Sequence, residues 1–366
     1  MPRIERDALV DFVSTLIREL GADPDAATDM ATSLVAADAR GHHSHGVRAL
    51  PAKYYPEIQD DKIRPGATPD RQETGAFSGL VQGNLGFGQL AGRHATDLAV
   101  EKAAEHGVGV VGIDGVSHIG RIGEWVERAV AHEMLFAAFV CNPGSQYVAP
   151  AGSAQPRLST NPIAFGVPTY DALSFPLVLD IATSQVAHGK VREYAASDDT
   201  VPSNWLVDDD GTSLRDAGAF VDGDGGAILP LGGFTTGHKG FGLSVMMELF
   251  ASILSDGAIS GGDGDTWGNR AVFVVIDPTL HTTREGVEER VETFASYLRD
   301  TDYSAPVSPG DAASGDRGLL PGEAEHRTLR DTRENGVSIV DVDAALLREL
   351  AAELNAADAV PPALDS

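Results

Sequence analysis

Gly83-Asn-Leu-Gly-Phe-Gly88, written GNLGFG, is the stretch on which the fold turns. Its glycines stand just ahead of a helix-patterned segment, as in a nucleotide-binding loop. The dinucleotide fingerprint of a doubly wound sheet needs G-x-G-x-x-G between a first strand and a helix, with an acidic residue about twenty positions on. Here the spacing is G-x-x-G-x-G, and the preceding GAFSGLVQ makes a poor buried strand. No G-x-x-x-x-G-K-[ST] loop occurs either. A dinucleotide site in this chain has to be built differently.

Outward from this loop the chain has a helical start, an α/β centre and a helical end. Residues 4–20 place apolar side chains at helical spacing up to Gly21, and Asp23-Pro24 is an N-cap with proline at the first helical position. That second helix runs to about Ala39, and a third covers Arg48 to Ile58. From about residue 74, GVGVVGIDG, LFAAFVCN, IAFGVP, FPLVLDIA and AVFVVID read as strands. Helical patterns lie at 90–106 and 121–133. The segment 240–255, GFGLSVMMELFASILS, is apolar on most sides and is predicted to be a buried helix. Residues 197–230 and 256–270, rich in Asp and Gly, read as irregular loops. The second lacks the ligand order of a calcium loop. Helices return after residue 285, around a Pro/Gly-rich stretch at 304–325. The expected domains are 1–73 together with 285–366, mostly helical, and 74–284, α/β.

Composition narrows the function classes. The chain has 366 residues, 42% of them hydrophobic, and holds no apolar run long enough to span a membrane. Its start reads as an amphipathic helix rather than a signal peptide. Cys141 is the sole cysteine, which rules out an intrachain disulfide. A cytoplasmic protein is expected. Lys+Arg is 27 against Asp+Glu 54, a net charge of −27, which repels nucleic acid and anionic membranes. Such a carboxylate-rich surface suits concentrated salt, where self-repulsion is screened, and reads as a halophile's adaptation. Only five lysines remain (Lys53, Lys62, Lys102, Lys190, Lys239), so each is more apt than usual to have a task.

Five segments carry chemistry-bearing residues. RGHHSHG (40–46) sets His42 and His45 three apart, a helical metal spacing, but no third ligand follows to complete a zinc site. A polar turn between helices is the plainer reading. VSHIGRIG (116–123) places His118 at a strand end. STNPIAFGVP (159–168) holds Thr160 and Asn161 ahead of a proline. LDIATSQVAHGKVREY places Asp180 at a strand end and Lys190 beyond it. LPLGGFTTGHKG runs through Gly232 to Lys239 at the start of a helix, a plausible anion cradle.

Taken in order from RGHHSHG through VSHIG, STNPIAFGVP, LDIATS…GK and LPLGG…HKG to PGE (321–323), these segments resemble the type-2 malate/L-lactate dehydrogenase family of NAD(P)-dependent oxidoreductases. The family includes L-sulfolactate and ureidoglycolate dehydrogenases and imino acid reductases. The resemblance implies a non-Rossmann NAD(P)-binding α/β domain with a mixed sheet, plus a helical domain built from both chain ends, in a homodimer. It implies reversible hydride transfer between a small 2-hydroxy acid and its 2-keto acid. His45 is implied as the general acid/base with Ser44 beside it, and His118 as the second active-site histidine. Arg48, Asn142, Thr160 and Lys190 are expected at the substrate. Lys190 occupies a position that is acidic in some imino-acid-reducing relatives. Many relatives carry arginine four residues after the first histidine, where this chain has Ala49, so Arg48 stands one place early. Ile119, Gly120, Arg121, Asp180, Ile181, Ala182, Gly232, Lys239 and Gly322 are expected at NAD or NADP, and no metal is expected. A silent ligand-binding relative and a zinc hydrolase on His42/His45 are the competing classes.

Overall fold

A computed structural model describes residues 1–197, 199–223, 225–263, 266–303 and 318–364. Most of the Pro/Gly-rich stretch and two residues of the 256–270 loop, Gly264 and Asp265, lie outside the described residues. Helix α1 (Arg6–Glu19) opens where the Glu5 carboxylate accepts the amides of Asp7 and Ala8 at 2.9 and 3.0 Å. Helix α2 (Pro24–Asp38) follows, with proline in its first turn as predicted. After a 3-10 turn at His43–His45, the anticipated helix at 48–58 is a π turn, Leu50–Tyr54, continued by α3 (Tyr55–Gln59).

Seven strands form the central sheet: β1 (Asp70–Glu73), β2 (Ser78–Gly86), β3 (Val108–Val116), β4 (Leu135–Cys141), β5 (Ile163–Val167), β6 (Leu177–Ile181) and β7 (Asn269–Ile276), in the spatial order β1-β2-β3-β7-β4-β5-β6. The five strands predicted by pattern are all present. GAFSGLVQ, read as a poor strand, contributes β2, which runs parallel to β3 through helix α4 (Gly88–His106). Every other pair in this sheet is antiparallel, so the sheet is mixed. The reason for the misreading is steric. Buried positions of β2 are held by Gly79 and Gly83, because a Cβ at Gly79 would lie 2.6 Å from Leu98 of α4 and one at Gly83 would collide with Val116 of β3. Close approach replaces the apolar side chains that betray a buried strand.

The longer helices that follow are α5 (Ile122–Ala131), α6 (His188–Ala196), α7 (Gly233–Ser255), α8 (Arg284–Arg299), α9 (Glu323–Asn335) and α10 (Asp341–Glu353), with one further short helix at Ala217–Val221. One core joins the two chain ends, with Phe12, Leu16, Leu34, Tyr54, Leu347 and Leu350 packed together. Arg3–Ile4 also pairs with Val337–Ser338. A second core lies between the sheet and α4 and α5, around Val111, Trp125, Phe136 and Phe273. The anticipated boundary at residue 73 cuts the β1–β2 hairpin. Helix α8, beyond the boundary at 285, packs Ala295 against Phe175 and Leu320.

Three expectations are corrected. Residues 197–230 are not simply irregular: Leu206–Val207 pairs with Ser213–Leu214 and Ala227–Ile228, over a small core containing Val148, Val191 and Trp205. Helix α9 had no sequence signal, because it buries only Thr332 and has no apolar stripe. Helix α7, predicted to be buried, turns its apolar side outward, with Met246 47% and Ile253 70% exposed. Its inward side is small and polar. Ser244, Glu248 and Ser252 are buried there, and Asn161 Nδ2 donates to Glu248 Oε2 at 2.8 Å.

Candidate active site

The RGHHSHG segment is shaped by Asp38, the last residue of α2. Its buried carboxylate accepts the Val47 amide at 2.7 Å and meets His43 Nδ1 at 2.8 Å, closing the turn around Gly46. A Cβ at Gly46 would collide with that carboxylate, so only glycine fits. His42 Nε2 lies 3.3 Å from Glu325 Oε1 and ties the turn to α9. Two of the three histidines are thereby occupied in holding the turn. The third, His45, faces inward with Ser44 Oγ 3.0 Å from its Nδ1. Burial, then the neighbouring charges of His42, Lys53 and Arg121, push the His45 imidazole down to about 4.

His118 reaches the same place from the end of β3. Its ring centroid is 5.3 Å from that of His45. The Gly120 amide donates to His118 Nδ1 at 3.2 Å, so in the neutral ring the proton sits on Nε2. Tyr54 OH approaches Nδ1 at 3.4 Å and is itself held by Gln89 Nε2 at 2.5 Å. The surrounding loop is clamped by Asn269 Oδ1, which accepts the Ile119 amide at 2.9 Å, and by Ser117 Oγ, which accepts the Gly88 amide at 3.0 Å. A Cβ at Gly88 would stand 2.5 Å from the His118 carbonyl oxygen. The last glycine of GNLGFG thus makes room for the histidine-bearing turn. Burial, followed by the charges of Lys53 and His45, pushes His118 well below its ordinary value. Both rings are neutral at pH 7, and a neutral imidazole can accept or donate a proton.

A cavity of about 650 Å³ opens beside the two rings. Of the residues expected at the substrate, Arg48, Asn142 and Thr160 line it with Ser44, His45 and His118. Lys190 does not, and its position is corrected: α6 turns Gly189, Arg192 and Glu193 to the cavity and leaves Lys190 exposed on its other side. Arg48 is placed differently from a free carboxylate fork, since its Nε lies 3.5 Å from Asp343 Oδ1 of α10. The pattern reading missed Tyr54 and Gln89, which carry no motif, and Lys53, Glu57, His188 and Arg192, which also line the cavity. The scarcity of lysine was the one signal that pointed at Lys53.

The segments expected at the cofactor converge next to Thr160. Thr183 N donates to the Thr160 carbonyl at 2.9 Å, Val178 N to the Pro321 carbonyl at 3.1 Å, and Gly232 N to Gln185 Oε1 at 2.9 Å. Asp180 Oδ2 accepts the Gly123 amide at 2.7 Å, joining β6 to the Ile119–Arg121 loop. Arg121 presents only its backbone, because its guanidinium is buried against Glu127 at 2.6 Å. Lys239 is exposed on α7 and does not line the cavity. Gly120, Gly232 and Gly322 all have positive φ, Ile181 offers an exposed apolar side chain and Ala182 a small one. This mixture of bare backbone, apolar surface and a carboxylate fits a nicotinamide dinucleotide. Among the described residues no group of three or more His, Cys, Asp or Glu could hold a metal ion. No helix there is long and apolar enough to cross a membrane.

Residues 4–351 match the family model described as malate/L-lactate dehydrogenase. Hydroxycarboxylate dehydrogenase B of Escherichia coli K12 is 30% identical over 346 residues, 92% of this chain and 90% of that one. Malate dehydrogenase of Pyrococcus abyssi is 36% identical over 261 residues, 70% of each chain. Among solved structures, malate dehydrogenase from Entamoeba histolytica superposes with a TM-score of 0.87 at 25% identity, over 96% of this chain and 98% of that one. The chain therefore belongs to the malate/L-lactate dehydrogenase family and is, with it, an NAD(P)-dependent oxidoreductase of 2-hydroxy acids.

Proposed function

We propose that His45 exchanges the proton of the substrate hydroxyl and that His118 donates its Nε2–H to the same oxygen. The observation that carries this division is the Gly120 amide on His118 Nδ1, which leaves that ring a donor toward the cavity. Among the described residues His45 has no backbone donor on either nitrogen, and it keeps a lone pair available beside Ser44. The nicotinamide, when bound, supplies or takes the hydride. The protein's own task is to hold the hydroxy acid against the two rings and to move one proton as the hydroxyl becomes a carbonyl. Ile119, Gly120, Asp180, Ile181, Ala182, Gly232 and Gly322 are the residues we assign to holding the dinucleotide.

The substrate in this reading is a small 2-hydroxy acid of the malate, lactate or sulfolactate type, or its keto acid. A reductase of cyclic imino acids is the second reading, favoured by a relative from Pseudomonas syringae named for that activity at 31% identity over 94% of this chain. Two lobes, the helical one built from both chain ends and the α/β one, are read as meeting at the cavity, with β1 and α8 on the α/β side. The exposed apolar side of α7 is read as the face covered by a second copy of the chain, because Leu243, Met246, Phe250 and Ile253 together form a patch that a lone chain in water would leave bare. The charge of −27 supports work in the salt-rich cytoplasm of a halophile. Two measurements test the whole: NAD(P)H fluorescence titration, then a panel of 2-keto and cyclic imino acids with both cofactors in molar KCl. Turnover of keto acids with either nucleotide is the expected result. Absence of both binding and turnover would overturn the reading.

A further inference from the structure

Ala49, Ala52, Lys53, Pro56 and Glu57 recur at helical spacing and form one wall of the cavity. The π turn at Leu50–Tyr54 carries Lys53 on this wall while Tyr54 packs into the core. The two cations of this segment differ in their partners. Arg48 is offset by the buried carboxylate of Asp343. Among the described residues, Lys53 has no carboxylate within 4.0 Å and no hydrogen bond from its ammonium. Burial pushes its pKa down, Glu57 one turn on opposes that, and Arg192 adds to it. Arg192, from α6, is a second cavity cation with no ion pair among the described residues. A half-buried ammonium without a counter-ion is costly, and it persists where an anion arrives with the ligand. Lys53 lines the same cavity as His45 and His118, and its charge helps to push both imidazoles down. In a 2-hydroxy acid the carboxylate is one bond from the carbon that gives up hydride. An anion close to both rings therefore corresponds to that carboxylate.

We propose that Lys53 is the cation that receives the substrate carboxylate beside the reacting carbon, with Arg192 as its companion on the facing wall. It takes the part that the early placement of Arg48, and the pairing of Arg48 with Asp343, leaves open. Lys53 is in this sense a specificity-determining residue, and the inference rests on the hydroxy-acid reading of the site.

The test compares the parent with Lys53→Met and Lys53→Arg in molar KCl. KM for 2-keto acids should rise about tenfold to a hundredfold in Lys53→Met, the loss of one charge-assisted hydrogen bond. Its kcat should stay within about threefold, since chemistry is left to the histidines. Lys53→Arg should recover most of the lost affinity. Oxalate, a carboxylate probe that is not turned over, should bind the NAD-loaded parent and lose a similar factor in Lys53→Met by calorimetry. Should Lys53→Met fail to fold, Lys53→Gln reads the same quantities with the length and polarity of the side chain largely kept. Unchanged KM and unchanged oxalate affinity would overturn the proposal, and so would a fall in kcat alone. Lys53-dependent oxalate binding without keto acid turnover would instead sink the hydroxy-acid reading and leave the anion site standing.

Discussion

The two histidines that stand side by side at the cavity are held in place by opposite means. His45 rests on a turn built almost wholly from its own neighbourhood: Asp38 closes it, His43 pairs with Asp38, and Gly46 leaves room for the carboxylate. His118 is held from a distance. Gly88, Tyr54 with Gln89 behind it, and Asn269 come from three other parts of the chain to fix one short loop. A short motif suffices to recognise the first arrangement. The second exists only once β2, β3, β7 and the π turn have packed together. Damage to the first wall should therefore act locally, and damage to the second should spread into the fold.

The largest expected effect tests the local wall. His45→Ala should cut turnover by about a thousandfold or more, the scale of a lost general acid/base, while NAD(P)H fluorescence titration stays as in the parent. Near-normal turnover would remove His45 from the chemistry. The same ring sets a pH signature. His45 titrates at about 4 in the folded protein, so the acid limb of kcat/KM for hydroxy acid oxidation should lie well below 6.5. An acid limb near 6.5 would mean that a different, ordinary histidine carries the proton. The stability consequence has the matching sign. The unfolded chain binds a proton here near pH 6.5 and the folded one does not, so stability contributed by neutral His45 is lost as pH falls from about 6.5 toward 4.

Gly88→Ala comes next and probes the distant wall. A methyl group 2.5 Å from the His118 carbonyl forces backbone to move, at a cost of about 1–3 kcal/mol in denaturant titrations. Turnover should fall as well, because the moved turn carries His118. An alanine variant of parental stability and rate would show that this close approach positions nothing. The smallest effect belongs to Asp38→Asn, which keeps the shape and the acceptor for the Val47 amide but removes the charge beside His43. The hydrogen bond from His43 to Asp38, with the carboxylate's charge, raises the His43 pKa above its ordinary 6.5. Stability from this pair is therefore full below 6.5 and lost as pH rises through the raised value. The difference in melting temperature between parent and Asp38→Asn should shrink as pH rises from 6 to 9. A difference that grows with pH would show that the pair is not what holds the turn.

Legibility followed the range of the interactions. Five strands, helices α1, α2, α4 and α5 and the histidine segments were readable, because period, caps and motif are properties of neighbouring residues. Strand β2 was misjudged since glycine occupies its buried face, and α9 was missed for want of an apolar stripe. Helix α7 was recognised as apolar, but composition does not say which side of an apolar helix meets the core. Here small and polar residues, Ser244 and Glu248 among them, face inward. Lys190 was an attractive lysine one residue off the cavity-facing side of α6, whereas Lys53 was noticed only through the rarity of its kind.

By itself the sequence determined the family and the reaction type and singled out the two histidines as candidates, since ordered short motifs survive as contiguous letters. It also determined the acidic, lysine-poor surface, which is composition and nothing else. Tertiary structure alone decided which nitrogen of His118 is protonated, that Arg48 is paired with Asp343, and that the cavity-lining Lys53 has no carboxylate within 4.0 Å among the described residues. These depend on groups that meet across tens to hundreds of residues. Burial and charge at such a meeting are set by packing, which no local pattern encodes.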